Sequence, residues 1–208
     1  MAIHFTKDEL AGRRARATEA IAARGLDGLL MFRQESMYYL TGYDSFGYVY
    51  FQCLYLGADG VMTLLTRAPD LRQARHTSVI EDIRIWVDEE GATPADALRD
   101  ILETHGCRGK KLGVEWEAYG LTARSGRMLD AALDGFCKLE DASDLVSRLR
   151  VVKSPAELAF VRRAGELARL LKTAERCLLD TQFKSENLKG GSEAIHAESE
   201  RLRDLLAL

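Results

Sequence analysis

The segment FRQESMYYLTGYD, residues 32–44, lies between an apolar run at residues 28–32 and a second strand-like run at residues 48–56. The two runs predict strands, and Gly42 is typical of a residue that ends the short helix between them. Binding sites in open α/β sheets lie at the carboxyl ends of strands, so this segment predicts a binding edge. The side chains that it places there are Arg33, Gln34, Glu35, Tyr43 and Asp44.

The composition is that of a soluble globular protein: of 208 residues, 47% are hydrophobic and 29% are charged. The net charge of −3, with both signs interspersed, gives no footprint for nucleic acid or an anionic membrane. No apolar run reaches the roughly 18 residues that span a membrane, and no basic-then-apolar leader opens the chain. Four separated cysteines without a CxxC pair indicate reduced thiols. We therefore expect a cytoplasmic protein with no nucleic-acid or membrane partner.

Strand patterns alternate with helix patterns along most of the chain, which predicts an α/β layer architecture. The turn Ala58-Asp59-Gly60 joins two of the strands into a hairpin, so we expect a mixed β-sheet flanked by helices. The predicted strands cover residues 28–32, 48–56, 61–66, 83–87, 111–116 and 136–139. The predicted helices begin near Lys7, Glu35, Pro69, Pro94 and Thr122 and at a cap formed by Ser143.

The segment SPAE at residues 154–157 contains a cap, a first-turn proline and a reciprocal glutamate, which together predict a helix start. This helix begins after the strand pattern ends. We therefore expect residues 1–152 to form the α/β domain and residues 153–208 to form a linker helix with a helical tail. A polar break with two glycines at residues 184–192 precedes a last amphipathic pattern at residues 193–206.

Two motifs, in this order, carry a resemblance to a known family: MYYLTGY at residues 37–43, and RLRVVKSPAE at residues 148–157 continued by VRRA at residues 161–164. They resemble the amino-terminal domain of the pita-bread metallopeptidase superfamily, which includes aminopeptidase P, prolidase, creatinase and ectoine hydrolase. The RQES lead-in at residues 33–36 is most similar to the creatinase and ectoine-hydrolase side, and the resemblance covers residues 5–168. It implies a mixed-sheet α/β domain, then a linker helix into a catalytic domain. It also implies dimers or higher oligomers, in which the amino-terminal domain closes over the active site, often that of the neighbouring subunit.

The resemblance also implies a metal centre whose ligand pattern this chain lacks. In the family, the catalytic domain supplies two Asp, one His and two Glu to a pair of divalent metals such as Mn, Co or Zn. After Lys153 the only histidine is His196, and no strand pattern carries paired aspartates. We therefore expect a truncated family member with no metal ligands, no cofactor and no hydrolysis by the chain alone, which leaves its status as an enzyme open.

The resemblance implies a substrate-binding role for all five strand-end residues, Arg33, Gln34, Glu35, Tyr43 and Asp44. Arg33 could pair with a substrate carboxylate in a bidentate manner, and Glu35 could hold a substrate ammonium or guanidino group. The alternative is an Arg33–Glu35 network that only fixes the strand end. His196 and Glu200 share a helix face, but two ligands make an incomplete metal site, so the pattern favours a solvated surface. Isolated histidines, expected at the surface or in loops, are His4, His76 and His105.

Three functional hypotheses remain open. In the first, the chain is a truncated metal-dependent hydrolase of this superfamily, which forms a homodimer or pairs with an intact family subunit. In the second, it is a stand-alone oligomerisation or binding module that uses leucines of its helical tail. In the third, the tail is the product of a frameshift or gene fragment. The substrate also stays open between Xaa-Pro peptides, creatine and ectoine derivatives. The leucines of the second hypothesis are Leu167, Leu170, Leu171, Leu202, Leu205 and Leu206.

Overall fold

The chain divides into two compact units, Met1–Val152 and Lys153–Leu208. The first unit holds a six-stranded sheet with helices packed on it, and one long helix dominates the second. The residues that the computed structural model describes are 3–87, 89–183, 193, 196–197 and 199–201, with the backbone alone at 48 and 177–183.

The described part of the first unit contains a single mixed sheet. Its strands are β1 Gly28–Met31, β2 Cys53–Gly57, β3 Met62–Arg67, β4 Asp82–Trp86, β5 Lys111–Val114 and β6 Lys138–Asp141. Their order across the sheet is β4-β3-β2-β1-β5-β6. Strand β2 runs antiparallel to both of its neighbours, and every other adjacent pair runs parallel. The predicted mixed sheet and its hairpin, formed by β2 and β3, are thereby confirmed.

The helices of the first unit are α1 Lys7–Ala23, α2 Gln34–Thr41, α3 Leu71–Thr77, α4 Pro94–Thr104, α5 Ala123–Leu133 and α6 Leu145–Val151. Short 3-10 turns occur at Gly47–Val49 and Ala68–Asp70. Three helices begin at hydroxyl caps, because Thr6, Thr93 and Thr122 each accept a hydrogen bond from the backbone N–H three residues later. Gly42 ends α2 in the left-handed region at φ 80°, as the sequence predicts.

Strand β1 joins two hydrophobic cores, one on each face of the sheet. Leu29 and Met31 belong to one core, and Leu30 and Phe32 belong to the other, because side chains alternate across a strand. A strand buried on both faces in this way reads as a continuous apolar run, which is the pattern seen at residues 28–32. The first core draws on α1, α2 and α6, and the second on α4 and α5; representative members are Ile21, Leu40 and Val146, and Leu98, Leu102 and Leu129.

The second predicted strand is wrong in its first half. Strand β2 begins only at Cys53, after a 3-10 turn. In that turn Gly47 lies so close to Asp70 that a β-carbon on the glycine would be 2.7 Å from the Asp70 Oδ2. The Arg67 guanidinium covers the Tyr50 ring at 3.4 Å from its centroid. These tertiary contacts hold the segment as a loop and override the strand propensity of its aromatic residues.

In the second unit, α7 spans Pro155–Phe183. Its predicted capping box is confirmed: the Ser154 N–H donates to the Glu157 carboxylate at 2.9 Å, and the Glu157 N–H donates to the Ser154 hydroxyl at 3.2 Å. Helical residues recur at 193, 196–197 and 199–201. The predicted tail members Leu202, Leu205 and Leu206 lie outside the described residues. Among the helices that are described, none is long and apolar enough to cross a membrane.

Candidate functional site

The carboxyl ends of β1 and β5 lie side by side, because the two strands pair in parallel with Leu30 opposite Val114. Beyond this point the Glu115 N–H still donates to the Leu30 carbonyl, at 3.0 Å. The two chain exits line a cleft of about 530 Å³ and an adjoining one of about 240 Å³. We call them together the β1–β5 cleft. Its lining residues are Phe32, Arg33, Gln34, Glu35, Trp116, Glu117, Ala118, Tyr119, Gly120 and Arg150.

Glu115 follows β5 directly and is a fully buried carboxylate. Its Oε2 accepts hydrogen bonds from the backbone N–H groups of Phe32 and Arg33, both at 3.1 Å. Its Oε1 accepts from the Ser36 hydroxyl at 2.6 Å. Burial raises the pKa of Glu115, and the hydrogen bonds from Ser36 and from the backbone oppose that rise. The carboxylate thus joins the end of β5 to the first turn of α2.

Arg33 is held by acceptors of the protein itself. Its Nε donates to the Glu117 carbonyl, and its Nη2 donates to the Glu117 carboxylate at 3.2 Å. Its Nη1 donates to the Ser143 carbonyl at 3.1 Å and to the Ser147 hydroxyl at 2.8 Å. These bonds use four of the five N–H donors of a guanidinium. The ion pair of Arg33 therefore forms with Glu117 and not with Glu35. Through its four hydrogen bonds, Arg33 joins the start of α2 to the exit of β5 and to α6.

Glu35 presents the open carboxylate of the cleft. The side chain is exposed, and within the described residues it forms no hydrogen bond or ion pair. Trp116 and Tyr119 line the same cleft, and Tyr119 is 88% exposed. A carboxylate and the faces of aromatic rings both attract cations. The cleft therefore has the chemistry to bind an ammonium or guanidinium group.

The other three predicted site residues lie in different surroundings. Gln34 lines the smaller part of the cleft, where its side-chain amide donates to the Ser45 carbonyl. The structure places Tyr43 in the core with no exposed surface, and its hydroxyl donates to the Gln52 amide oxygen at 2.8 Å. Burial raises the pKa of Tyr43. Asp44 is half-buried, and its backbone N–H donates to the Thr77 hydroxyl at 3.2 Å. The structure thus brings Arg33, Gln34 and Glu35 together and leaves Tyr43 and Asp44 outside the lining.

Ser143 does not cap α6 as the sequence predicts. Asp144 occupies the N-cap position, without a side-chain hydrogen bond to the helix. The Ser143 hydroxyl instead donates to Asp141 at 2.6 Å and accepts from the Glu117 N–H at 3.2 Å, so it fixes the segment that leaves β5. Asp144 binds Arg24 at 2.7 Å, and this hydrogen bond lowers the pKa of Asp144 to about 2.

The sequence prediction missed the half of the cleft that β5 supplies. The segment VEWEAYG, residues 114–120, carries two carboxylates and two aromatic rings directly after an apolar strand. That pattern is the same kind of signal that marked residues 33–35. The sequence alone does not join the two segments, because only the pairing of β5 with β1 brings them together.

The described residues do not fit the metal pair that the family resemblance implies. Among them, no group of three or more His, Cys, Asp or Glu side chains could hold a metal ion. His196 and Glu200 lie 3.7 Å apart on an exposed helix face, with 73% and 62% of their side chains exposed. His105, expected to stand alone, is instead 2.8 Å from the Thr63 hydroxyl.

Comparisons with known proteins agree with this fold. The model of the creatinase/prolidase N-terminal domain matches residues 13–152. The ectoine hydrolase of Halomonas elongata is 29% identical over 205 residues, which cover 93% of this chain and 51% of that protein. An uncharacterized hydrolase/peptidase of Sinorhizobium fredii is 31% identical over 180 residues, covering 83% of this chain and 46% of that protein.

Among solved structures, the dipeptidase PepE from Mycobacterium ulcerans superposes with a TM-score of 0.64 at 27% identity. The match covers 93% of this chain and 51% of that one. The chain spans about half the length of the curated relatives it matches. On the evidence of the mixed sheet and of the family match over residues 13–152, the chain belongs to the creatinase/prolidase N-terminal domain family.

Proposed function

We propose that this chain provides the amino-terminal domain of a metal-dependent hydrolase of the Xaa-Pro peptidase or creatinase type. In this role residues 1–152 associate with a second subunit, either another copy or an intact family member, and cover a substrate site. The two divalent metals, such as Mn, Co or Zn, and the water that they activate belong to the catalytic domain of such a hydrolase. The chain alone does not hydrolyse substrate. Its three described thiols, all free, are in keeping with a cytoplasmic protein.

The observation that carries this proposal is the exposed Glu35 carboxylate, which lines the β1–β5 cleft together with the aromatic side chains of Trp116 and Tyr119. Glu35 has no hydrogen-bond or ion-pair partner among the described residues and is available to a ligand, whereas Arg33 already donates to four protein acceptors. We therefore assign Glu35 to a substrate ammonium or guanidino group. A carboxylate hydrogen-bonded to a cation contributes about 1.5–3 kcal/mol, which is enough to orient one end of a small substrate.

The remaining predicted site residues act in support of Glu35 in this proposal. Arg33 serves as a strut that holds the rim of the cleft, with one guanidinium N–H left for a substrate carboxylate. Gln34 holds the loop that contains Ser45. Tyr43 and Asp44 stabilise the end of α2 from inside the domain, where Tyr43 is fully buried.

A titration followed by nuclear magnetic resonance tests the binding role. The full chain is titrated with alanyl-prolinamide, which carries an ammonium group, and with N-acetyl-alanyl-prolinamide, which does not. We expect the charged probe to bind and Glu35→Gln to weaken its binding by about tenfold or more. Asp130→Asn is the matched control, because Asp130 lines a separate cleft of similar volume beside β6. Equal binding of both probes, or equal loss in both variants, would overturn the assignment of Glu35.

An activity assay tests the catalytic half of the proposal. The purified chain is incubated with Xaa-Pro peptides and with creatine, in the presence of Mn or Co. We expect no turnover, because the described residues offer no metal-ligand group. Metal-dependent turnover that persists in a clean preparation would show that the chain is an enzyme by itself.

A stand-alone oligomerisation module is a second candidate, favoured by apolar side chains on α7. Of the leucines in the hypothesis, Leu170 is buried but Leu171 is 60% exposed. Phe160 and Val161 of the same helix are 48% and 57% exposed. Such side chains suit a helix that packs on a partner. Light scattering of Val161→Glu and Leu171→Glu discriminates: this candidate predicts loss of the oligomer in both variants, and an unchanged mass would count against it.

A further inference from the structure

We infer that Glu115 is the positioning residue of the β1–β5 cleft, because its carboxylate fixes the turn Phe32–Ser36 and thereby aims Glu35 at the ligand. This inference rests on the proposed function, since it assigns the residue that prepares Glu35 for its role. Glu115 itself is not among the residues that line the cleft.

The residues that lead into α2, Phe32 and Arg33, donate their backbone N–H groups to an acceptor outside the helix. A helix start leaves several backbone N–H groups without intrahelical partners. The N-cap residue of α2 is Arg33, which makes no side-chain cap. Glu115 supplies an acceptor from beyond another strand to this N-cap residue and to the residue before it, since its Oε2 lies 3.1 Å from the backbone nitrogens of Arg33 and Phe32. A negative charge at this end of a helix is also favoured by the helix dipole.

The bonds to Glu115 lie on both sides of Glu35 in the sequence. Phe32 and Arg33 are held before it, and Ser36 is held directly after it by a 2.6 Å bond to the other carboxylate oxygen. The backbone of Glu35 therefore lies between fixed points. The guanidinium of Arg33 adds a third constraint, because it binds Glu117 on the far side of the cleft.

A carboxylate meets this requirement better than an amide. Both oxygens of Glu115 accept hydrogen bonds, whereas a glutamine would present an NH₂ group to one set of donors. The arrangement is maintained although burial penalises the charge, because three hydrogen bonds to the carboxylate offset part of that penalty. Such a buried group fits a role in positioning other residues, since a binding site works only when its side chains are held within a fraction of an ångström of the productive geometry.

A double-mutant cycle on the full chain tests this positioning role. Glu115→Gln, Glu35→Gln and the double variant are titrated with alanyl-prolinamide, and Ser36→Ala serves as a milder second route to the same turn. We expect Glu115→Gln to weaken binding by about tenfold, and the double variant to bind no more weakly than Glu35→Gln alone. Restoration of most of the affinity by Glu115→Asp would support the carboxylate requirement. Additive losses would overturn the inference, because a general structural defect acts independently of Glu35.

Amide hydrogen exchange in the same variants keeps the test separate from the proposed function. In Glu115→Gln and Ser36→Ala we expect faster exchange at Phe32 and Arg33 with unchanged protection at Leu30 and Leu112 in the core. If the unmodified chain binds no probe, the proposed function fails while localised exchange still supports the fixed turn. If exchange does not change at Phe32 and Arg33, the positioning role fails whatever the chain binds.

Discussion

The two ends of the same sheet both carry polar clusters, but only one of them leaves a charged group open. At the amino ends of β3 and β4, the buried Thr63 hydroxyl lies 2.8 Å from both the Asp82 carboxylate and the His105 ring. Arg84 closes this group by donating to both Asp82 oxygens, and the Tyr55 ring stacks on His105 at a centroid distance of 5.3 Å. Each group in this cluster has a protein partner.

At the carboxyl ends of β1 and β5, the network is equally dense but incomplete. Glu115 accepts three hydrogen bonds and Arg33 donates four, yet Glu35 beside them forms none within the described residues. The contrast between the Thr63 cluster and the β1–β5 cleft shows that a polar cluster by itself marks no binding site. What distinguishes the β1–β5 cleft is a hydrogen-bonded network on either side of one exposed carboxylate, Glu35, that has no partner within the described residues.

Of the substitutions that follow, removal of the Glu115 carboxylate should have the largest effect on the free energy of unfolding. Glu115→Ala leaves the buried N–H of Phe32 and the partly buried N–H of Arg33 without an acceptor, so we expect the free energy of unfolding to fall by about 3 kcal/mol. Glu35→Ala should change it by no more than about 0.5 kcal/mol, because the side chain is exposed and makes no hydrogen bond. Chemical denaturation measures both values, and equal losses would remove the distinction between the two carboxylates.

Thr63→Val should disrupt the closed cluster at the opposite end. The substitution preserves shape but removes the hydroxyl that joins Asp82 to His105, so we expect a loss of about 2 kcal/mol in the free energy of unfolding. Thr63→Ser keeps the hydroxyl and is the control. Binding of alanyl-prolinamide should not change in Thr63→Val, and a change there would show that the two ends of the sheet are coupled.

Tyr43→Phe separates a core role from a binding role. The variant loses the 2.8 Å hydrogen bond to Gln52 and leaves the ring in place, so we expect about 1 kcal/mol of destabilisation. The affinity for alanyl-prolinamide should stay unchanged because Tyr43 is fully buried. A weaker affinity with normal stability would restore Tyr43 as a ligand-binding residue.

Acid should weaken two ion pairs by a smaller amount, one between Asp144 and Arg24 and one between Asp82 and Arg84 in the closed cluster. The hydrogen bond from Arg24 lowers the pKa of Asp144 to about 2, and the one from Arg84 lowers the pKa of Asp82. Because a folded pKa below the unfolded value of about 3.9 stabilises the charged form, this stability is present above pH 4 and is lost as the pH falls toward 2. Thermal unfolding of Asp144→Asn and wild type should therefore converge between about pH 4 and pH 2. A constant difference in melting temperature across that range would contradict the ion-pair account.

Much of the fold could be predicted because its signals are local. The stop at Gly42 and the capping box at Ser154 depend only on residues within four positions. The site could be predicted only in part: residues 33–35 stand at a strand end, but their partner strand begins at Lys111, far along the chain. Likewise, the Tyr43 hydroxyl donates to Gln52 inside the core, and the spacing of apolar residues in the sequence does not indicate this contact.

The most direct measurement of the central claim is a map of amide chemical shifts on the full chain as alanyl-prolinamide is added. We expect shifts confined to residues 33–35 and 116–119, abolished in Glu35→Gln and retained in Asp130→Asn. The amides of Thr63, Asp82 and His105 should not move. Shifts at those three residues, or a map unchanged by Glu35→Gln, would contradict the claim that the open carboxylate of the β1–β5 cleft is the ligand-binding group.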